Sequence, residues 1–206
     1  MRRKRSTKKR RGALWWAALG AVLLALAIAA YFVANDRLLR SVYREDHLSY
    51  VWDTAKEYGL DPYFVAAVVY AESEFDPEAV SSKGAVGLMQ IMPDTGEWIA
   101  GHMKIKNYSR ETLKDPETNL RMGCWYLSYL SDRYDGRARL MLCAYNAGPG
   151  TVDRWLNDPA YTADGKTLRS IPFAETRQYV DKVNSADEQY EKLYPPERAL
   201  GDQAHP

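Results

Sequence analysis

Asp61-Pro62-Tyr63-Phe64-Val65-Ala66-Ala67-Val68-Val69-Tyr70-Ala71-Glu72-Ser73 decides the reading of this chain. Asp61 reads as a helix N-cap and Pro62 as the first helical residue, so the segment opens a helix that ends near Glu72. The run Phe64 to Ala71 is apolar, and Glu72 closes it. A carboxyl at the end of an apolar helix loses hydration, which disfavours its charged form. Such a group keeps its proton near neutral pH, as a general acid must. The bland alternative is a solvated glutamate at a helix end, and the residues that follow decide against it.

Beyond Ser73 the chain reads Glu74-Phe75-Asp76-Pro77, then Ala79 to Pro93. Ser81, Ser82 and Gly84 make a polar turn. Gly84, Ala85 and Gly87 carry little or no side chain, so a ligand can approach this backbone closely. Gln90 supplies an amide that donates and accepts, as sugar hydroxyls and acetamido groups require. Met89 and Met92 offer pliable apolar contact. Pro93-Asp94-Thr95 marks the start of a further helix. Much later, Cys143-Ala144-Tyr145-Asn146-Ala147 ends a buried helix in a Gly148-Pro149-Gly150 turn, with Tyr145 and Asn146 projecting polar atoms there.

The remaining elements are helical too. Tyr50 to Tyr58 forms a helix stopped by Gly59. Asp115-Pro116 opens another that runs to about Tyr134, Arg137 to Asn146 makes a short one, and Glu175 to Tyr194 a long last one. Val180, Val183, Tyr190 and Leu193 are the expected inner positions of that last helix. No stretch alternates as a strand does, and no internal repeat is present. The expected fold is an all-α domain over residues 48–195, with a polar tail at 196–206.

The N-terminus differs in kind. Residues 2–11 hold eight Lys and Arg and no acid. Removing those eight from the total of 28 leaves 20 basic against 27 acidic groups, a balance of about −7 for the remainder. Residues 13–34 are uncharged and apolar, long enough at helical rise to span roughly 33 Å, close to a bilayer's hydrocarbon thickness. Trp15 and Trp16 at one end, and Tyr31 and Phe32 at the other, suit the two interfaces. With the basic segment 1–12 ahead of this helix, the N-terminus is expected in the cytoplasm and the domain outside it. Residues 35–47 read as a stalk or helical lead-in. A cleaved signal peptide is the alternative, since Ala27-Ile28-Ala29 resembles a cleavage site, but the apolar run is longer than a usual signal core. A basic run against a membrane span is a topology signal before it is a nucleic-acid arm, and the acidic body gives nucleic-acid binding no support.

Cys124 and Cys143 read as two buried residues on neighbouring helices, a disulfide being open only outside the cytoplasm. They form no zinc pattern with the scattered His47, His102 and His205, and neither a metal nor an organic cofactor is expected.

Four blocks together resemble the soluble-lytic-transglycosylase (SLT) family of peptidoglycan-cleaving enzymes. They are Glu72-Ser73; Gly87-Leu88-Met89-Gln90 with Pro93; Ala144-Tyr145-Asn146-Ala147-Gly148; and Ile171-Pro172-Phe173-Ala174-Glu175-Thr176-Arg177-Gln178-Tyr179-Val180. Four blocks in order across residues 50–194 are specific where one tetrad would be weak. The resemblance implies a lysozyme-like, mainly helical fold. It implies cleavage of the β-1,4 bond between N-acetylmuramic acid and N-acetylglucosamine without water, leaving a 1,6-anhydromuramoyl end. It assigns Glu72 as acid and base, Ser81, Gln90 and Met92 to sugar contact, and Tyr145 to the reacting sugar. Asn146 would orient Glu72 or shape the helix end, and Glu175 and Tyr179, four apart, would line the cleft.

A hydrolase of the two-carboxylate type needs a second acid about 5–9 Å away. Glu74 and Asp76 fit that role badly. The competing readings are a muramidase that admits water and an idle glycan-binding module. Glycan strands and the membrane are the expected partners, and cell-wall or secretion machinery would fit without being identified.

Overall fold

The computed structural model describes residues 4–43 and 48–195, with backbone alone over 4–14. Residues 44–47 of the expected stalk and the tail 196–206 lie outside the described residues. The chain divides into two units, at Val42 and Tyr43.

The first unit is one helix, α1 (Lys4–Val42). Its stretch Trp15–Val42 is long and apolar enough to cross a membrane, with a mean hydropathy of 2.4 in its most apolar window and none of that window buried. A signal sequence would pass the same test. The expected lead-in after Ala34 is helical through Val42, and an Arg40–Asp36 ion pair at 2.9 Å bridges one turn of it.

The second unit holds seven α-helices among the described residues: α2 (Leu48–Glu57), α3 (Pro62–Ser73), α4 (Pro93–Met103), α5 (Pro116–Arg133), α6 (Ala138–Ala147), α7 (Pro149–Leu156) and α8 (Ala174–Leu193). A 3-10 turn, Arg110–Lys114, precedes α5. Among the described residues β pairing is limited to isolated bridges, Val80 with Val86, Val86 with Ile91, and Thr162 with Leu168.

Helix α3 is the centre. Asp61 caps it, accepting from the amides of Tyr63 (2.8 Å) and Phe64 (3.3 Å). Val65 to Val69 are fully buried. An element apolar on every side has to be enclosed, and α8 and α2 pack against it. On α8, Val180, Val183, Tyr190 and Leu193 face inward as the periodicity predicts. Arg121 of α5 grips Glu57 of α2 through two hydrogen bonds, 2.7 and 2.5 Å.

One expectation is corrected. Gly148-Pro149-Gly150 is not simply a stop. Gly148 alone makes the break, with φ +85°, and Pro149 is the first residue of α7. Proline's fixed φ suits that first helical position, where its missing N–H costs nothing. Cys124 and Cys143 are buried and unbridged, and burial pushes their thiols up to about 12 and about 11.

Candidate active site

Glu72 is the last residue but one of α3, and the chain turns sharply after it. Glu74 (φ +53°) and Phe75 (φ +64°) both adopt the left-handed conformation. For L-residues this costs about 1–2 kcal/mol each. Burial of the Phe75 ring and the amide of Glu74 donating to the Tyr70 carbonyl (3.0 Å) hold the turn. Ser73 Oγ donates to the Leu88 carbonyl at 2.8 Å, with a longer 3.3 Å contact to Val69. The helix end is thereby tied to the segment that carries Gln90.

That segment, residues 79–91, is a folded loop. Val86 exchanges two backbone hydrogen bonds with Ile91, both 3.1 Å. Gly87 has φ +78°, and a Cβ there would lie 2.4 Å from Asn119 Nδ2. Asn119, on α5, is fully buried and organises the loop. Its Oδ1 accepts from the Met89 amide, and its Nδ2 donates to the carbonyls of Val86 and Leu113, all at 2.8 Å. The Met89 side chain lies fully buried against Gly123, where a Cβ would fall 2.1 Å from its sulfur.

Two further helices complete the wall. Tyr145, near the end of α6, donates its hydroxyl to the Met89 carbonyl at 2.7 Å. Asn146 accepts from Thr176 Oγ1 of α8 at 2.8 Å. Tyr179, one turn further along α8, has a buried hydroxyl that lies near enough to Glu72 to favour its charged form by hydrogen bonding, although the contact falls short of strict hydrogen-bond geometry. Lys182, also on α8, donates to the Ala71 carbonyl at 2.9 Å and stands 3.8 Å from Glu74. It also covers the Tyr70 ring, 5.2 Å from its centroid.

Part of Glu72 reaches solvent, yet protein atoms crowd its carboxyl. Loss of hydration raises its pKa to about 7, against the opposing pull of Tyr179 and the Lys182 ammonium. Burial, reinforced by Glu72, drives the phenols of Tyr145 and Tyr179 well above their ordinary range. Both therefore stay protonated and present O–H dipoles near a carboxyl poised between its two forms.

The remaining sequence candidates take varied positions. Ser81 closes its own turn, its hydroxyl oxygen accepting from the Ala85 amide at 3.0 Å. Gln90, at φ +44°, spends its NH2 on the carbonyls of Ala79 and Gly87, both at 3.0 Å. Its amide oxygen takes no part in those bonds. Met92 is exposed at the N-cap of α4. Glu175 is solvent-exposed in the first turn of α8 and pairs with Lys83 of the loop at 3.0 Å, whereas Tyr179 is buried. Glu74 is exposed and Asp76 accepts from the Glu78 amide as a turn residue. Among the described residues no group of three or more His, Cys, Asp or Glu side chains could hold a metal.

Sequence reasoning missed Asn119 and Lys182. Asn119 left a trace, because asparagine is a poor residue for a helix interior and signals a hydrogen-bonding task when it sits in one. Lys182 left none, since a lysine on a polar helix face is ordinary.

These features define a lysozyme-like, mainly helical domain with one half-buried acid at the end of its central helix. The family model for the transglycosylase SLT domain matches residues 49–167, more than half of the chain, and the chain belongs to that family. Over 129 residues it is 40% identical to the soluble lytic murein transglycosylase of Escherichia coli K12, covering 62% of this chain and 20% of that protein. The Salmonella typhimurium protein of the same description is 37% identical over 139 residues, 66% of this chain and 22% of the relative. The chain thus spans about a fifth of the length of these relatives. Among solved structures, an inactive mutant of the lytic transglycosylase Slt from Pseudomonas aeruginosa superposes with a TM-score of 0.68 at 36% identity, covering 78% of this chain and 26% of that one. A complex of the 70-kDa soluble lytic transglycosylase with bulgecin A gives 0.64 at 31% identity, covering 79% and 26%.

Proposed function

We propose that the chain is a membrane-anchored lytic transglycosylase that cleaves the β-1,4 bond between N-acetylmuramic acid and N-acetylglucosamine outside the cytoplasmic membrane. The observation that carries this is the Glu72 carboxyl, with a pKa pushed to about 7 beside two protonated tyrosines. A carboxyl with that pKa gives a proton and takes one back at neutral pH at little cost. Glu72 first protonates the oxygen leaving the muramoyl C1. The substrate's own N-acetyl group stabilises the cationic centre. Glu72, now a carboxylate, then removes the proton from the muramoyl C6 hydroxyl, whose oxygen closes on C1 to give the 1,6-anhydro ring.

One acid serves both steps, and the neighbours support this. Asp76 is committed to a turn, and Glu74 is exposed beside Lys182. The Pseudomonas aeruginosa neighbour was made inactive by replacing a glutamate with glutamine. Tyr145 would face the reacting sugar, Tyr179 and Glu175 would line the cleft, and Ser81, Gln90, Met92 and Asn146 would frame the glycan. Helix α1 would hold the domain at the membrane with the basic segment inside.

The test is mass spectrometry of purified peptidoglycan digested by the intact chain in detergent, with Glu72→Gln beside it. Anhydromuropeptides from the wild type alone are the expected result. Reducing-end products would make the chain a hydrolase, and equal activity in the variant would remove Glu72 from the mechanism.

A further inference from the structure

Residues 157–173 link α7 to α8, and the proposed reaction uses none of them. Three arginines from the flanking helices hold this loop by its carbonyls. Arg137, at the N-cap of α6, donates to Lys166 at 2.5 Å, Arg139 of α6 to Leu168 at 3.2 Å, and Arg177 of α8 to Ile171 at 2.8 Å. Leu168 and Ile171 are buried, so the loop is pinned to the domain from within. Lys166 and Arg169 are exposed on it, and among the described residues their side chains meet no hydrogen-bonding or ion-pair partner.

A guanidinium that donates to a carbonyl keeps its full charge, because the carbonyl carries none to cancel it. Of the cations Arg137, Arg139, Lys166, Arg169 and Arg177, only Arg137 faces a carboxylate among the described residues, that of Asp135. Asp164 is the other acid in these contacts, and its carboxylate is committed to the amides of Lys166 and Thr167, both at 2.8 Å. Three positive charges are left in excess, on a chain whose residues outside 2–11 carry about −7. Beside them stands Phe173, whose carbonyl accepts from the Arg177 amide. Its ring meets Trp155 edge-on at 5.0 Å and remains 53% exposed. Cations alone would suit any polyanion. Cations beside an exposed phenyl ring suit a surface that is anionic outside and apolar just beneath, which is the headgroup layer of a bilayer.

We propose that this loop face docks the domain peripherally on an anionic phospholipid bilayer, the one that α1 enters. This rests on the membrane anchoring proposed above. A chain inserted by α1 keeps the face within reach of headgroups, so a weak surface affinity acts at high effective concentration. Each net cation favours an anionic surface by about fivefold, and three together favour the docked state by about a hundredfold. The same stretch runs on into Glu175, so docking holds that edge of the proposed cleft close to the headgroups.

The experiment is hydrogen exchange of the intact chain in phosphatidylcholine vesicles, either neutral or with about one third phosphatidylglycerol. Amides of residues 160–173 should exchange about tenfold more slowly on the anionic vesicles, while those of the surface loop 104–109 stay unchanged. About 0.5 M salt should abolish the difference. So should Lys166→Glu combined with Arg169→Glu, two side chains that support no contact in the fold. Phe173→Ser should leave a slowing of only about threefold. Equal exchange on both vesicles, by a chain that floats with both, overturns the docking alone. A slowing that persists in the double charge reversal also overturns it. An equal slowing on neutral vesicles when soluble polyphosphate is added assigns the face to an anionic polymer and overturns the bilayer as its partner. A chain that does not float with neutral vesicles overturns the anchoring on which the docking rests.

Discussion

Replacing Glu72 by Gln should stabilise the protein, but only above a certain pH. The Glu72 pKa is about 7 in the folded chain against an ordinary value of 4.5. Below 4.5 the side chain is protonated folded or unfolded and contributes no pH-dependent term. Between the two values the unfolded chain has released this proton while the folded chain still holds it. Stability therefore falls as pH rises through that window. Above about 7 the folded chain carries the poorly hydrated carboxylate, and the loss is complete. The rise from 4.5 to about 7, at about 1.36 kcal/mol per tenfold change in proton affinity, sets a ceiling of about 3 kcal/mol, lowered by the part of Glu72 that reaches solvent. Glutamine has nearly the same shape and no proton to lose. The assay is urea unfolding of both proteins in detergent at pH 4, 5.5, 7 and 8.5. The variant's advantage should be near zero at pH 4, grow through 5.5 and 7, and level off at about 2–3 kcal/mol by 8.5. Other titrating groups cancel in the difference. An advantage independent of pH, or one largest in acid, would refute a half-buried Glu72 with a raised pKa.

Three more outcomes are expected. Lys182→Met removes a cation that holds the Glu72 pKa down, so the alkaline limb of kcat/KM should move to higher pH while the enzyme stays folded; an unmoved limb would show that Lys182 does not act on the acid. Asn119→Ala leaves the Met89 amide and the carbonyls of Val86 and Leu113 without their buried partner, which should cost about 3 kcal/mol in urea unfolding and most of the turnover. The full chain should stay with membranes through an alkaline carbonate wash, whereas a chain lacking residues 2–34 should appear in the soluble fraction, and recovery of a shortened product of the full chain in the soluble fraction would point to cleavage of the segment instead.

Much of this architecture can be read from local signals. Asp61-Pro62 and Asp115-Pro116 announce their helices because a carboxylate cap and a first-turn proline act within a few residues. The inner face of α8 follows from its periodicity. Helix α7 escaped because Gly-Pro-Gly serves equally as an end and a beginning, and only tertiary packing of Val152 and Trp155 chooses between them. Of the candidate residues, Glu72 and Tyr145 were legible as polar groups at the ends of apolar helices. The tasks of Gln90 and Ser81 were not, since a side chain's hydrogen-bond partners depend on a loop path that no periodicity encodes. Glu175 shows the same limit. Its spacing from Tyr179 is visible, but Lys83 comes from 92 residues earlier in the chain.

The short loop beside Glu72 is held by three helices at once. Ser73 of α3 takes the Leu88 carbonyl, Asn119 of α5 takes Val86 and Met89, and Tyr145 of α6 takes Met89 again. Opening the loop would require releasing α3, α5 and α6 together, so it has no cheap local route to unfolding. In native-state hydrogen exchange the Met89 amide should therefore behave like the centre of α3, exchanging only when the whole domain opens. Glycan would then meet a surface already set in its working shape, and little of the binding energy would go into ordering it.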